Sequence, residues 1–386
     1  MRPTRGVDSK LPNVGTTIFT VMTRLAEQHQ AINLSQGFPE FEPPDALLDR
    51  VAHHLRTRCH QYPPMPGAVS LRRAIAFKVE DLYGVRSDPE TEITVTSGAT
   101  EALFCAIQAV VRAGDEVVVF DPCYDSYEPA ATLAGGRVVH IPLTLPSFAI
   151  DWEQLQRSLN ARTRLIIINS PHNPSGALMV DRDLDRLAEL LRPHDCYVLS
   201  DEVYEHVIFD DEQHATILAH AELAERSFAV FSFGKTYHAT GWKLGYCVAP
   251  PRLTEELRRI HQYVTFASTG LLQYALADYL TEHPEHHRNL AAFYAQKRDY
   301  FVALLAGTRF AVAPARGTYF QLADYSAIAD LPDVEFARGL TVEHGVAVIP
   351  ISVFYEQPPA DLRLVRFCFA KQAATLDEAA RRSRKL

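Results

Sequence analysis

The segment FAVFSFGKTYHATGWKLGYCV, residues 228–248, carries the side chains with the clearest capacity for chemistry. An apolar run leads into Gly234 and Lys235, and such a lysine is either exposed at a strand-to-helix turn or held at the sheet end as a nucleophile. A phosphate-binding P-loop is excluded, because the first glycine of that motif would fall at Ala229. A nucleophilic lysine needs desolvation or a nearby positive charge, here Lys243, to keep its amine neutral. The segment alone leaves the surface lysine and the nucleophile open.

Polar residues follow other apolar runs, and each has an ordinary structural explanation. Asp201 ends the run YVLS and could serve as a helix N-cap or as a buried carboxylate. The run ITVT leads through SGAT, residues 97–100, into a helical pattern. Its free N–H groups favour an anion, although many α/β proteins share this arrangement. Asn173-Pro174 is typical of a turn, and Arg366 in LRLVRFCFA could equally lie exposed at a strand edge.

Short apolar runs alternate with amphipathic segments through the middle of the chain, and these elements must position the polar residues. The runs have the β-branched and aromatic content of strands; they are 93–96, 116–120, 164–169, 197–200, 228–233 and 244–249. Helical periodicity lies between several of them, as at 101–114, where Gly114 supplies a stop, and at 181–194. Fully apolar strands alternating with helices predict an α/β fold with a mostly parallel sheet covered on both faces.

The two ends of the chain differ from this pattern. Residues 1 to about 45 are rich in loops and proline, and beyond about 280 a long helix, roughly 285–305, precedes shorter mixed segments. We therefore expect a large α/β domain over residues 46–280 and a small domain built from residues 1–45 and 281–386.

Composition and charge argue against several classes of partner. Of the 386 residues, 47% are hydrophobic and 22% charged, as in folded globular proteins. The net charge of −9 argues against nucleic acid and anionic membranes as partners, and no apolar stretch is long enough to span a bilayer. The six cysteines lack metal-finger spacing and the N-terminus MRPTRGVDSKLPNVG lacks a secretory signal, so we expect a reducing, cytoplasmic location.

Three histidines have the spacing of helical metal ligands, His283, His286 and His287. They stand beside a proline and between charged residues, which favours a solvated helix start over a metal site. We expect no metal.

Five motifs together resemble one enzyme family. SFGKTYHATGWKLGY is similar to the cofactor-lysine signature of the class I aminotransferases, which are pyridoxal 5'-phosphate (PLP) enzymes of fold type I. Four further segments resemble family motifs in the same order and spacing; they are SQGFP at 35–39, TSGATEAL at 96–103, NSPHNPSG at 169–176 and SDEVYEH at 200–206. The similarity covers nearly the whole chain. It is greatest for the branch that contains methionine aminotransferases and kynurenine/glutamine transaminases.

The resemblance implies a role for each matched residue around PLP. Lys235 would form the Schiff base with the cofactor and move the substrate's Cα proton, and Asp201 would hold the ring nitrogen protonated. Tyr204 and Asn173 would donate to the ring hydroxyl oxygen, and Tyr124 would stack on the ring. The phosphate would be held by Ala99, Thr100, Ser232, Lys243 and, from the neighbouring subunit, Tyr62. A homodimer with sites completed across the interface is therefore implied.

The resemblance also implies how substrate is recognised. Arg366 would bind the substrate carboxylate, with Asn173 and the backbone of Gly37 nearby. We identify no second arginine for a dicarboxylate, and aromatic and aliphatic residues suggest an apolar pocket; they are Ile18, Phe19, Tyr62, Tyr124 and Phe354. The sequence therefore predicts transfer of the amino group of an uncharged L-amino acid, of methionine, aromatic, leucine or glutamine type, to a 2-oxo acid.

Two alternatives use the same residues differently. A β-lyase acting on cysteine conjugates would expel a leaving group and release pyruvate and ammonia without an acceptor. A PLP-binding sensor would lack turnover, but such proteins carry a basic DNA-binding module, which this acidic chain does not show.

Overall fold

A computed structural model describes residues 8–57 and 59–386. The strands are β1 (Ile32–Asn33), β2 (Ile93–Thr96), β3 (Glu116–Asp121), β4 (Arg137–Pro142), β5 (Thr163–Asn169), β6 (Tyr197–Asp201), β7 (Ser227–Ser232), β8 (Gly245–Val248), β9 (Phe320–Asp324), β10 (Val346–Ala347), β11 (Ile349–Pro350) and β12 (Leu364–Cys368). The helices are α1 (Ile18–Gln28), α2 (Asp45–Arg56), α3 (Val69–Tyr83), α4 (Ala99–Val110), α5 (Tyr127–Leu133), α6 (Trp152–Ser158), α7 (Asp181–Leu191), α8 (Ala221–Ala224), α9 (Phe233–Thr236), α10 (Pro251–Val264), α11 (Gly270–Glu282), α12 (Glu285–Leu305), α13 (Asp333–His344) and α14 (Ala373–Ser383).

A seven-stranded sheet forms the centre, in the order β2-β8-β7-β6-β5-β3-β4. All neighbours are parallel except β8, which runs antiparallel to both β2 and β7. The expectation of a mostly parallel sheet is confirmed. Inner strands such as β3, β7 and β8 are buried on both faces, which is why they read as continuous apolar runs rather than alternating ones. The edge strand β4 is half-exposed and was not among the predicted runs.

Helices cover both faces of this sheet and bury two apolar clusters against it. On one face α4 packs against α10, and on the other α11 packs against α2 and α3. The pattern at 101–114 predicted a helix that continues to Gly114, but α4 ends at Val110 because Val111 is already extended. Gly114 instead occupies a positive φ of 89° in the turn before β3, where its N–H donates to the Gly135 carbonyl.

A third apolar cluster joins the two ends of the chain. Met22 and Leu34 from the N-terminal part pack with α12, α13, α14 and the sheet β11-β12-β9. The same cluster also contains Tyr204, Val207 and Phe209 from the middle of the chain. The division into a large domain, 46–280, and a small domain from both ends stays a prediction. Residues 1–7 of that small domain lie outside the described part of the chain.

The histidines of α12 correct one expectation. His287 is only 4% exposed and its ring lies 5.0 Å from that of His206, while His286 Nε2 is 3.0 Å from the Thr236 carbonyl. His286 and His287 are packed residues of the helix, so for them the interpretation as a solvated helix start is wrong. His283 precedes the helix, and its side chain is 36% exposed and lies 3.0 Å from Glu285.

No helix among the described residues combines the length and apolarity needed to cross a bilayer.

Candidate active site

A cavity of about 210 Å³ opens at the carboxyl ends of β5, β6 and β7, facing the start of α4. Ligands of parallel α/β sheets bind at this edge. The cavity brings together nine of the residues singled out in the sequence, namely Ala99, Thr100, Tyr124, Asn173, Asp201, Tyr204, Ser232, Lys235 and Lys243.

Lys235 lies in the single turn α9, directly after β7. The Ser232 side chain caps that turn by accepting from the Lys235 backbone N–H at 3.4 Å. The Lys235 amine donates to the carbonyl oxygen of Gly37 at 3.1 Å. Burial lowers the pKa of Lys235 to about 8, and the positive charges of Arg366 and Lys243 act in the same direction. A usable fraction of the amine is therefore neutral near pH 7.

Asp201 is the last residue of β6 and is 4% exposed. No helix follows it directly, so the alternative of a helix N-cap is wrong. Its carboxylate accepts from the Tyr127 hydroxyl at 2.6 Å and from the Val203 N–H at 3.4 Å. Burial raises the pKa of Asp201 to about 6, while the bond from Tyr127 opposes that rise. The result is a buried carboxylate that is still ionised near neutral pH.

The loop between β2 and α4 forms an anion cradle with the residues before β8. Gly98 has a φ of 83°, and a Cβ at this position would lie 3.4 Å from the Lys243 Nζ. A Cβ at Gly245 would lie 2.7 Å from the Ala99 N, so the close approach of these two segments requires glycine at 245, while the positive φ favours glycine at 98. Glu101 accepts from the Ser97 N–H at 2.5 Å and fixes the loop. Free N–H groups at the start of α4 and the Lys243 amine then face one small volume.

Arg366 lies on β12 and is 1% exposed, so the alternative of a surface arginine is wrong. It donates to the Asn173 Oδ1 at 2.7 Å and to the Ser35 carbonyl at 3.1 Å. Its Nε is buried without a partner among the described residues. The guanidinium lies 3.8 Å from the centre of the Phe320 ring, with Phe19 and Phe354 at 5.4 and 5.7 Å. An unpaired N–H in an aromatic surrounding is suited to a carboxylate with an apolar substituent.

Four predicted residues lie outside the lining of the cavity, and Arg366, which reaches it through Asn173, is one of them. The Gly37 carbonyl accepts from both Lys235 and the Tyr319 hydroxyl, which places it at the edge of the site. Phe354 packs beside Phe19, with ring centres 5.9 Å apart, near Arg366. Tyr62 is 80% exposed and packs only edge-on against Phe266, so this chain does not bring it to its own cavity.

Sequence reasoning missed three residues that organise the site. Tyr127 bonds to Asp201, as described, and Tyr319 bonds to Gly37. Asn169, the last residue of β5, donates to the Asp201 carbonyl and accepts from the Asn173 N–H, both at 2.8 Å. A polar residue ending the apolar run RLIII was a signal for Asn169, and the spacing of one helical turn from Tyr124 was a signal for Tyr127. Nothing in the sequence around Tyr319 pointed to Gly37.

The donor set fits pyridoxal phosphate: a lysine with a lowered pKa, a buried acid for a ring nitrogen, and an anion cradle of the size set by Gly98 and Gly245.

Comparison with known proteins agrees with this fit. The profile of the family "Aminotransferase class I and II" matches residues 29–382. The chain is 54% identical to the methionine aminotransferase of Escherichia coli K12, over 98% of both chains. It is 32% identical to the mouse kynurenine–oxoglutarate transaminase 1, over 95% of this chain and 94% of the relative.

Solved structures give the same result. A crystal structure of an E. coli methionine aminotransferase superposes with a TM-score of 0.97 at 53% identity, covering 99% of this chain and 100% of that one. The N-succinyldiaminopimelate aminotransferase of Mycobacterium tuberculosis gives 0.93 at 40% identity, covering 98% and 99%. All these relatives are aminotransferases, so the lyase and sensor alternatives are not favoured. The chain is a PLP-dependent aminotransferase and belongs to the class I and II aminotransferase family.

Proposed function

We propose that this enzyme transfers the amino group of an uncharged L-amino acid with a thioether or aromatic side chain to a 2-oxo acid. The observation that carries the proposal is Arg366, a buried guanidinium with one unpaired N–H among the rings of Phe19, Phe320 and Phe354. Arg366 adjoins the 210 Å³ cavity through Asn173, to which it donates at 2.7 Å, and no arginine of the described residues is part of the cavity lining. The names of the E. coli and mouse relatives point to the same range of donors.

Arg366 positions the substrate in this proposal. Two parallel hydrogen bonds from a guanidinium fix the orientation of a carboxylate, and hence that of Cα. Asn173 holds the guanidinium from one side at 2.7 Å, so its plane is set before the substrate arrives. The surrounding rings give the guanidinium an apolar environment, which suits a substrate with an apolar side chain.

When bound, pyridoxal phosphate supplies an aldehyde that links to amines and a ring that takes up the electron pair left at the substrate Cα. The Lys235 amine, with its pKa near 8, is the group that we propose to remove and return the Cα proton. Its donation to the Gly37 carbonyl aims the amine into the cavity, toward the carboxylate-binding side.

Asp201 is proposed to keep a proton on the ring nitrogen, because an ionised carboxylate in a buried site stabilises a neighbouring cation. Tyr204 and Asn173, both lining the cavity, would donate to the ring hydroxyl oxygen. Tyr124 lines the same cavity and would cover one face of the ring.

The anion cradle is proposed to hold the phosphate through the N–H groups of Ala99 and Thr100, the Ser232 hydroxyl and the Lys243 amine. Tyr62 is proposed to complete it from a second copy of the chain, since it is exposed in its own. The working enzyme is then a homodimer. We place it in the cytoplasm, which agrees with six free thiols, five of them buried.

The test is a panel of amino donors against one 2-oxo acid, with purified enzyme and added cofactor. We expect kcat/KM for methionine, phenylalanine or leucine to exceed that for aspartate by about 100-fold, because a second carboxylate would be left unpaired in an apolar site. Aspartate or glutamate as the best donor would contradict the proposal.

A matched pair of arginine variants shows whether Arg366 is responsible. Arg366→Lys keeps the charge but loses the bidentate geometry, so kcat/KM for methionine should fall about 100-fold. Arg363→Lys, three residues earlier and paired with Asp330 at 2.7 Å, should leave the donor ranking and kcat/KM unchanged.

A further inference from the structure

A second and larger cavity, of about 320 Å³, lies beside the cofactor site. It opens above the carboxyl ends of β3 and β5, between the loops at 143–150 and 172–179. The two cavities share only Tyr124 and Asn169. The larger one is therefore not part of the space assigned above to the cofactor.

The walls of this second cavity are mainly apolar and aromatic. They include Phe120, Leu143, Phe148, Trp152, Ile167 and Met179. A dry cavity of about 150 Å³ in another protein accommodates benzene, so this one has room for a ring with a short chain. Small-molecule sites begin at about 300 Å³ and have this composition.

The charged groups of the lining are unevenly distributed. Arg182, in the first turn of α7, and Arg316 are exposed at the mouth. Arg316 pairs with Glu212 through its Nε and one terminal nitrogen, both bound to the same carboxylate oxygen, which leaves its other terminal nitrogen available. The one acid of the lining, Asp183, accepts from the Val180 N–H and caps α7.

His172, which lines the second cavity, is neutral near pH 7. Burial lowers the pKa of His172 to about 4, and its Nδ1 lies 2.6 Å from the Ser175 hydroxyl. The mouth therefore offers the N–H donors of two guanidinium groups, beside the carboxylates of Asp183 and Glu212, and the interior is apolar. A ligand with one carboxylate and an apolar tail is complementary to this arrangement.

We propose that this cavity is a second ligand site, which binds a small monocarboxylic acid with an apolar or aromatic tail. The tail lies against Phe148 and Trp152, and the carboxylate lies between Arg182 and Arg316. The occupant also contacts Tyr127, which donates to Asp201, so the site adjoins the cofactor-binding machinery without sharing its anion cradle. This inference does not depend on which amino donor the enzyme prefers.

The test is binding of 3-phenylpropionate to the holoenzyme, followed by tryptophan fluorescence. The chain has two tryptophans, and Trp152 lines the cavity. We expect a saturable change in emission that Trp152→Phe abolishes. The uncharged amide, 3-phenylpropionamide, should bind about tenfold more weakly, because it lacks the charge that the arginines recognise.

Variants at the mouth and in the interior locate the binding. Arg182→Gln and Arg316→Gln should each weaken 3-phenylpropionate about five- to tenfold and leave the amide unaffected. Arg186→Gln, on the same helix and paired with Glu189, is the control and should change neither. Ala177→Leu, which fills part of the cavity, should weaken acid and amide alike.

Three results would overturn the proposal. One is the absence of a saturable response, and another is a response that survives Trp152→Phe. The third is an affinity for the acid that neither Arg182→Gln nor Arg316→Gln alters, since the probe would then occupy another site, such as that of Arg366. The arginine variants are at the surface, so these outcomes stand even if Ala177→Leu does not fold.

Discussion

At the scale of single residues, burial shifts the pKa values of both the proposed base, Lys235, and the proposed partner of the ring nitrogen, Asp201. Burial disfavours charge, so it lowers the pKa of Lys235 to about 8 and raises that of Asp201 to about 6. The amine thereby becomes partly neutral, which a nucleophile and base needs. Burial alone would favour the protonated form of Asp201. The hydrogen bond from the Tyr127 hydroxyl, at 2.6 Å, stabilises the carboxylate and opposes this effect. Tyr127 is therefore a positioning and tuning residue for Asp201.

Tyr127→Phe tests this assignment through pH dependence. A donated hydrogen bond stabilises the carboxylate, so its removal raises the pKa of Asp201 above about 6. In the wild type, Asp201 becomes protonated below about pH 6, and the affinity of the apoenzyme for pyridoxal phosphate should then begin to fall as the pH is lowered. A plot of affinity against pH should therefore show a break near pH 6. In the variant this break should lie about one pH unit higher. Cofactor titration by absorbance at a series of pH values measures it.

Two controls separate tuning from a general loss of structure. Asp201→Asn has no carboxyl to titrate, so the break should disappear. Tyr300→Phe removes another tyrosine–aspartate bond, that to Asp377 at 2.5 Å on the surface, and should leave the break in place. A break unmoved in Tyr127→Phe would show that the hydroxyl does not tune Asp201.

At the scale of elements, the strands of the large sheet deliver polar residues to one edge. Asn169, Asp201 and Ser232 are the last residues of β5, β6 and β7. This much could be predicted from the sequence, because each strand is apolar along its buried length and changes to polar residues where it leaves the core.

Other parts of the site could not be predicted in this way. Arg366 and Gly37 reach the site from parts of the chain that are 329 residues apart, which no local pattern encodes. The same applies to Tyr127 and Asp201, which are 74 positions apart. The family motifs identified such residues where a motif existed. Tyr319 was missed because its role depends on tertiary contacts alone, and the spacing of Tyr127 from Tyr124 did not reveal its partner, Asp201.

The anion cradle depends on how α4 is anchored, and Glu101→Ala tests that anchor. The Glu101 carboxylate accepts from the Ser97 N–H at 2.5 Å and lies 2.6 Å from the His261 Nδ1 on α10. Its loss should free the loop before α4 and weaken cofactor affinity about tenfold, with kcat at saturating cofactor nearly unchanged. Cofactor titration and steady-state kinetics measure the two effects. Glu255→Ala, which breaks a surface pair with Arg259, should alter neither.

At the scale of the whole molecule, net charge and local charge have opposite signs. The chain carries −9, yet Lys235, Lys243 and Arg366 are gathered around one site, which we propose to bind a phosphate and a carboxylate. Net charge describes the surface and the polyanions that it repels, and it gives no information on a buried cationic pocket. Tyr62 is expected at the phosphate but is exposed and lies away from the cavity of its own chain, so its predicted role requires a second chain.

Mixing two defective variants tests whether Tyr62 acts on the site of a second subunit. Tyr62→Ala should weaken cofactor binding about tenfold, and Lys235→Ala should abolish covalent attachment of the cofactor. In a mixed dimer, one site then has both Lys235 and Tyr62, so after subunit exchange about a quarter of all sites should regain wild-type cofactor affinity and activity. If Tyr62 served its own chain, no site would regain both. Mixing the wild type with the double variant, Tyr62→Ala and Lys235→Ala, is the control. In each mixed dimer, the one site that keeps Lys235 receives the alanine at position 62 of the other chain, so its cofactor affinity should fall.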